Sequence, residues 1–211
     1  MTFLNRNNFS ILILFVASII TSGSVILVYA FTKPKIISQQ ENYQKMVLNF
    51  VIPQKLLLGT QTSCYTINNI LLGDNENHQF WMIKKNNVLK ALIFKVVAPD
   101  GYSGDIKIII SLNPNKKILG VRILDHHETP GLGDKIDVRI SNWITKFSGI
   151  TVLGLNDPKF SLKKYGGSID QFAGATITPL AVINAIKRTV NLTQKLIFNS
   201  SNFKRCDFNH E

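Results

Sequence analysis

The chain has 211 residues and a formal charge of +11, enough for one ordinary globular domain with segments to spare. Only five of its 24 basic residues are arginine, and the lysines are scattered without interleaved aromatics. That pattern lacks the arginine-rich, aromatic-lined surface that nucleic acid binding needs; with Asn and Ile also abundant, AT-rich codon usage accounts for much of the charge, and attraction to anionic membrane lipid stays open. Cys64 and Cys206 match no metal-site spacing; from sequence they are either a disulfide or two unrelated thiols.

No charged residue lies between Arg6 and Lys33, and the 23 residues from Phe9 to Phe31 are mostly Ile, Leu, Val, Phe and Ala. A helix of that length spans a hydrocarbon core of about 30 Å. Val28-Tyr29-Ala30 has the form of a cleavage site, but the apolar run exceeds the usual signal core of about 7–15 residues, so an uncleaved anchor is expected. Arg6 and the α-amino group on one side nearly balance Lys33 and Lys35 on the other. The short tail before the span and the large domain after it suit a single-pass signal anchor with the N-terminus inside and the C-terminal domain outside. The expected organisation is a tail over 1–8, an anchor over 9–31, a helical linker region over 32–78, a globular domain over 79–199 and a tail over 200–211. Within the linker, a helix runs from Ile36 to about Phe50 and ends at Pro53; Asn68 to His78 reads as a loop.

Phe80–Lys85 and Val88–Val97 flank Asn86-Asn87 as a hairpin. Pro99-Asp100-Gly101 is a turn. Asp105–Leu112 and Lys117–Leu124 are two further strands, separated by Asn113-Pro114-Asn115. Four strands in succession predict an antiparallel meander, covered by a helix at Val138–Phe147 and another from Pro179 to Asn199: an α+β fold. Straight after the fourth strand comes DHHETPGLGDKID, Asp125 to Asp137. Adjacent His126 and His127 on an extended segment face opposite ways, and H-E-x-x-H is absent, so no metal site is expected. Glu128 to Gly133 reads instead as a Gly-rich loop. Pro130-Gly131 specifies a turn in which Gly131 or Gly133 takes a positive φ. With its amides exposed, such a loop packs on a flat ring through Leu132 and meets its polar edge through Glu128 and Thr129. The plain alternative is a connector.

The last element opens with FAGATITP, Phe172 to Pro179. Thr178-Pro179 is a helix start, with Thr as N-cap and Pro at the first helical position. Gly174, Ala175 and Thr176 then lie beside unsatisfied amides and the positive dipole end, where a phosphate can rest next to the Thr176 hydroxyl. Small residues before a capped helix are common, and alone they do not mark a ligand.

An N-terminal anchor, ETPGLG after a meander and GATIT before a helix, in that order, resemble the G subunit of the Rnf/Rsx ion-translocating electron transport complexes. The chain is also similar to the C subunit of the sodium-translocating NADH:quinone reductase. The resemblance covers essentially the whole chain and is closest over Gly101 to Arg188. It implies an FMN-binding domain over 79–199, with FMN attached covalently through its phosphate to a threonine. The acceptor pattern is Asp, two residues, Ser or Thr, Gly, Ala, Thr; here it reads Asp170-Gln171-Phe172-Ala173-Gly174-Ala175-Thr176, so Thr176 matches the acceptor and Ala173 departs from the usual hydroxyl residue. Asp170 is expected to serve recognition by a separate Mg-dependent flavin transferase, and Thr178 to cap the helix and touch the flavin. The implied role is that of an electron carrier, not catalytic alone, in a membrane complex that couples electron transfer between NAD(H) and ferredoxin-like carriers to ion movement. The quinone reductase component, with the same cofactor, is the close alternative. A flavin-free anchored scaffold is the alternative of another class.

Overall fold

The structure, a computed structural model, describes the backbone of residues 3–53, 58–196 and 200–206. It divides into two compact units, Met1–Lys45 and Met46–Glu211. The first is part of a single helix, α1 (Phe3–Val51). Its 28 residues Phe9–Ile36 are mostly apolar and exposed, and at about 1.5 Å per residue they are long enough to cross a membrane with some tilt. Ser18, Thr21, Ser24 and Thr32 donate their hydroxyls to carbonyls one turn earlier, so these polar groups need no water. The helix continues through Pro34, so the expected span and the expected helix after Ile36 are one element.

The second unit carries a six-stranded antiparallel sheet in the order β5-β4-β3-β2-β1-β6. Its strands are β1 (Gln61–Asn68), β2 (Asn77–Lys85), β3 (Val88–Ala98), β4 (Ile106–Leu112), β5 (Ile118–Asp125) and β6 (Lys204–Arg205). The β2–β3 turn has φ of 50° at Asn86 and 63° at Asn87, the left-handed pair that a tight hairpin demands and asparagine tolerates. The expected four-strand meander therefore gains β1 and the short β6. Cys64 and Cys206 form a disulfide across that added edge, with Cα atoms 5.4 Å apart, and the Cys206 amide donates to the Cys64 carbonyl. Of the two states the sequence allows for these cysteines, the paired one is present.

One face of the sheet presents Phe80, Phe94, Ile108, Ile110 and Val121 to α2 (Ile177–Lys195), whose Val182, Ile183, Ile186 and Val190 are fully buried. Trp143, Phe147 and Phe160 close the same core. Alternation puts Ile83, Ile93 and Ile109 on the other face, where they are also buried. Val51 comes so close to that unit's β5 that a side-chain carbon on Gly120 would lie 2.7 Å from the Val51 carbonyl oxygen.

Two helical expectations need correction. Val138–Phe147 is not an α-helix; short 3₁₀ turns occupy Gly133–Ile136 and Trp143–Phe147 instead. Local side-chain bonds compete with the helical ladder there: Asp137 accepts from the Arg139 amide, Ser141 donates to the Lys135 carbonyl, and the Trp143 amide donates to the Ser141 hydroxyl. The final helix starts earlier than Pro179, with Thr176 in the capping place, and ends at Lys195 with Leu196 extended. Residues 197–199 of its expected end lie outside the described residues.

Candidate functional site

Phe172 to Ala175 make a four-residue turn closed by the Ala175 amide on the Phe172 carbonyl. Its third residue, Gly174, has φ +77°, which costs an L side chain and costs glycine little. The turn delivers Thr176 to the head of α2. Thr176 makes no side-chain cap bond, and the first turn of α2 holds no acidic residue. The positive end of a 19-residue helix therefore carries no acidic residue of its own and lies beside a hydroxyl with no capping duty.

Thr178, the expected cap, is instead inside the helix and buried. Its hydroxyl donates to Glu128 Oε2. The other carboxylate oxygen of Glu128 accepts the Ser103 amide at 3.0 Å, and the Glu128 amide donates to His126 Nδ1. Glu128 is only 4% exposed. It thus ties together the start of α2, the loop after β5 and the turn between β3 and β4.

The loop itself is wound inward. The amides of Leu132, Gly133 and Asp134 all approach the Thr129 carbonyl, at 3.2, 3.0 and 3.3 Å. The sequence predicts those amides exposed toward a ligand; the turn consumes them. Gly131 takes the expected positive φ, +77°. Gly133 is required for another reason: a Cβ there would sit 2.8 Å from Thr178 Oγ1 and 2.9 Å from Glu128 Oε2.

These pieces frame an open cleft of about 220 Å³ lined by Glu128, Thr129, Leu132 and Gly133 on one side and Gly174 to Thr178 on the other, with Tyr102 at its rim. The two glycine segments thus share one site. Leu132 and Ile177 are large apolar side chains left 41% and 50% exposed, so the walls offer a flat apolar surface and the floor a helix terminus. Asp170 does not line the cleft. It is half-exposed, pairs with Lys163 at 2.6 Å and Lys146 at 3.5 Å, and its carbonyl accepts the Trp143 indole N–H. The Lys163 hydrogen bond and charge, helped by Lys146, hold its carboxyl below the ordinary range. Tyr102 and Ile177 are lining residues that sequence does not flag as contacts; the only signal for Tyr102 is an aromatic residue at the tip of a turn with glycine on both sides.

The far end of the glycine loop is fixed by Asp137. It is 1% exposed and bonded by the guanidinium and the amide of Arg139, with His126 Nε2 3.8 Å away. Burial pushes its carboxyl up, but the Arg139 hydrogen bonds and charge outweigh that and hold it below the ordinary value. A carboxyl lowered on folding adds stability above its unfolded pKa of about 3.9, and that stability is lost as pH falls through the lower folded value. Arg139→Ala should therefore reduce stability at neutral pH and move the acid unfolding midpoint upward. Thermal melts from neutral to acid pH check this; an unchanged acid limb rejects it.

The model of the FMN-binding domain family matches residues 101–191, the stretch that builds the whole cleft, and that of the RnfG N-terminal region matches residues 12–51. The G subunit of the ion-translocating oxidoreductase complex of Buchnera aphidicola subsp. Baizongia pistaciae is 53% identical over 191 residues, 89% of this chain and 88% of that protein. The chain belongs to the family of G subunits of ion-translocating oxidoreductase complexes. The G subunit of Pectobacterium atrosepticum is 42% identical over 205 residues, 97% of each chain. The N-terminal match and these relatives favour this family over the quinone reductase alternative. Among solved structures, that of Shewanella oneidensis NqrC is similar at 15% identity and a TM-score of 0.47, covering 68% of this chain and 88% of that one.

Proposed function

We propose that this G subunit carries FMN as a phosphoester on Thr176 and passes electrons within an inner-membrane complex coupled to ion translocation. The observation that carries the reading is the position of Thr176: its hydroxyl has no capping duty, heads α2, and lines a cleft inside the FMN-binding domain match. A phosphodiester retains about one negative charge and suits the positive helix end. The residues present fit the group. Gly174 and Ala175 leave room at the phosphate, and Leu132 with Ile177 supplies apolar surface for a ring. Thr129 sits at the same wall. Glu128 and Thr178 shape the cleft through their mutual bond more than they offer free polar atoms. Bound flavin supplies the capacity to take and give electrons singly or in pairs; the protein supplies position and field.

The cleft is smaller than the roughly 300–1,000 Å³ of ordinary ligand pockets, which suits a cofactor held by a bond and open to partners on one side. Those partners are the other subunits of the complex. Attachment requires a separate flavin transferase, for which Asp170, outside the cleft and flanked by two lysines, is the recognition candidate. The proposed organisation keeps an anchor over 9–31, while the FMN-binding domain expected over 79–199 takes in β1 and β6 as well, since they belong to its sheet.

The disulfide supports the proposed orientation, since disulfides persist in oxidising compartments such as the periplasm. Cys64 and Cys206 should be inaccessible to thiol alkylation in intact cells until a reductant is added, and a periplasm-specific reporter fused after Glu211 should be active. Free thiols together with cytoplasmic reporter activity reverse the orientation. The function itself is tested by resolving the full chain from flavin-replete cells on a denaturing gel: a fluorescent band supports the flavoprotein, and a dark band from cells expressing the transferase supports the scaffold.

A further inference from the structure

We propose that Tyr102 packs directly against the flavin ring carried on Thr176, and that the turn between β3 and β4 is built to present it. The inference rests on the covalent reading above.

Antiparallel neighbours can be joined by two residues. Here the chain spends residues 99–105 between Ala98 and Ile106. Three of its members are held: Asp100, Gly101 and Ser103. Asp100 accepts from Asn184 Nδ2 at 3.1 Å and stands 3.7 Å from Arg188 Nη1, both on α2; Arg188 also donates to the Val97 carbonyl. The Ser103 amide is held by Glu128. Gly101 is packed so tightly that a Cβ would lie 2.2 Å from the Gly104 carbonyl oxygen and 3.0 Å from Glu128 Oε1, and Gly104 has φ +115°. Holding the turn in one arrangement costs conformational entropy, an expense a plain connector does not need.

The residue in the middle of this frame is a large aromatic left 67% exposed, and it lines the same cleft as Thr176. The anchors run to α2 and to Glu128, the elements that form the rest of the cleft. The turn therefore holds Tyr102 in register with Thr176, not merely with the sheet. A tyrosine fixed at the rim of an apolar cleft presents a flat face at little entropic cost, and such a face prefers to stack on another ring.

The test reads flavin emission, which tyrosine or tryptophan in van der Waals contact quenches and leucine does not. Full-length protein is purified from cells that flavinylate it, and emission is compared native and denatured. Tyr102→Leu should raise native emission several-fold while denatured emission stays equal to the wild type. Tyr102→Trp should restore the quenching, and Tyr165→Leu, an exposed tyrosine outside the cleft, should leave it unchanged. Equal native emission in wild type and Tyr102→Leu, with equal flavin in the denatured bands, overturns this proposal and leaves Thr176 attachment standing. A Tyr102→Trp protein that folds but emits as strongly as Tyr102→Leu overturns it as well. Absence of flavin from the denatured wild-type band overturns the covalent reading, and this proposal with it.

Discussion

Thr176→Ala should yield a folded chain with no flavin that survives denaturation, while Thr178→Ala should keep it. The effect is all or none because the phosphoester requires the Thr176 oxygen. It should not arise through unfolding. Thr176 has helical backbone angles, φ −89° and ψ −30°, and makes no side-chain cap bond, so alanine forfeits little of the roughly 0.5–2 kcal/mol that a true cap contributes. Thr178 is the costlier threonine to lose, because its buried hydroxyl bonds Glu128, yet it carries no bond to the cofactor in this reading. Peptide mass spectrometry separates the two. In the wild type, the tryptic peptide bounded by Lys164 and Lys187 should be heavier by one FMN less one water, with fragmentation placing the increment on Thr176. An unmodified peptide from flavin-replete cells that express the transferase, or the increment on Thr178, rejects the assignment.

The meander is legible because its turns carry their own mechanism. Asn86-Asn87 and Asn113-Pro114-Asn115 break apolar runs at the period of strands, and the pattern of α2 survives any context. β1 and β6 are not legible. QTSCYTIN is half polar, and what makes it a strand is pairing with β2 and with a two-residue segment more than a hundred positions away. The segment after Asp137 reads as a helix because its apolar spacing suits one, while Asp137 and Ser141 spend its amides on side chains. Within the site, ETPGLG and GATIT stand out by composition, yet nothing local says that they face one another. The role of Glu128 is equally hidden. From sequence it is a polar contact to a ring; in the fold both its oxygens are engaged by partners 25 and 50 residues away. Long-range polar pairing leaves no periodicity to detect.

That pairing makes Glu128 the most sensitive position in the cleft after Thr176. Glu128→Ala removes the acceptor for the exposed Ser103 amide, which water can replace, and for the buried Thr178 hydroxyl, and a buried donor left without one costs about 1–3 kcal/mol. It also empties the space against which Gly101 and Gly133 are packed without side chains. Together these effects should cost about 2–4 kcal/mol, or roughly 4–16 °C in melting temperature for a domain of this size. Glu128→Gln keeps the shape and one acceptor oxygen but turns an NH₂ toward a donor, so it should fall between the wild type and alanine. Thr178→Val should destabilise the wild type clearly and the Glu128→Ala protein hardly at all, because the second change removes a bond already lost. Gly133→Val should resemble Glu128→Ala, since its side chain would enter the space held by the Glu128–Thr178 pair. Melts followed through Trp81 and Trp143 emission, on full-length protein in detergent, measure all four. If Glu128→Ala melts with the wild type while the flavin spectrum shifts, Glu128 is a ring contact and the clamp is wrong. If the melt falls and the double variant adds nothing to Glu128→Ala, the carboxylate holds three separate chain segments in the one arrangement that leaves Thr176 at the head of an open cleft.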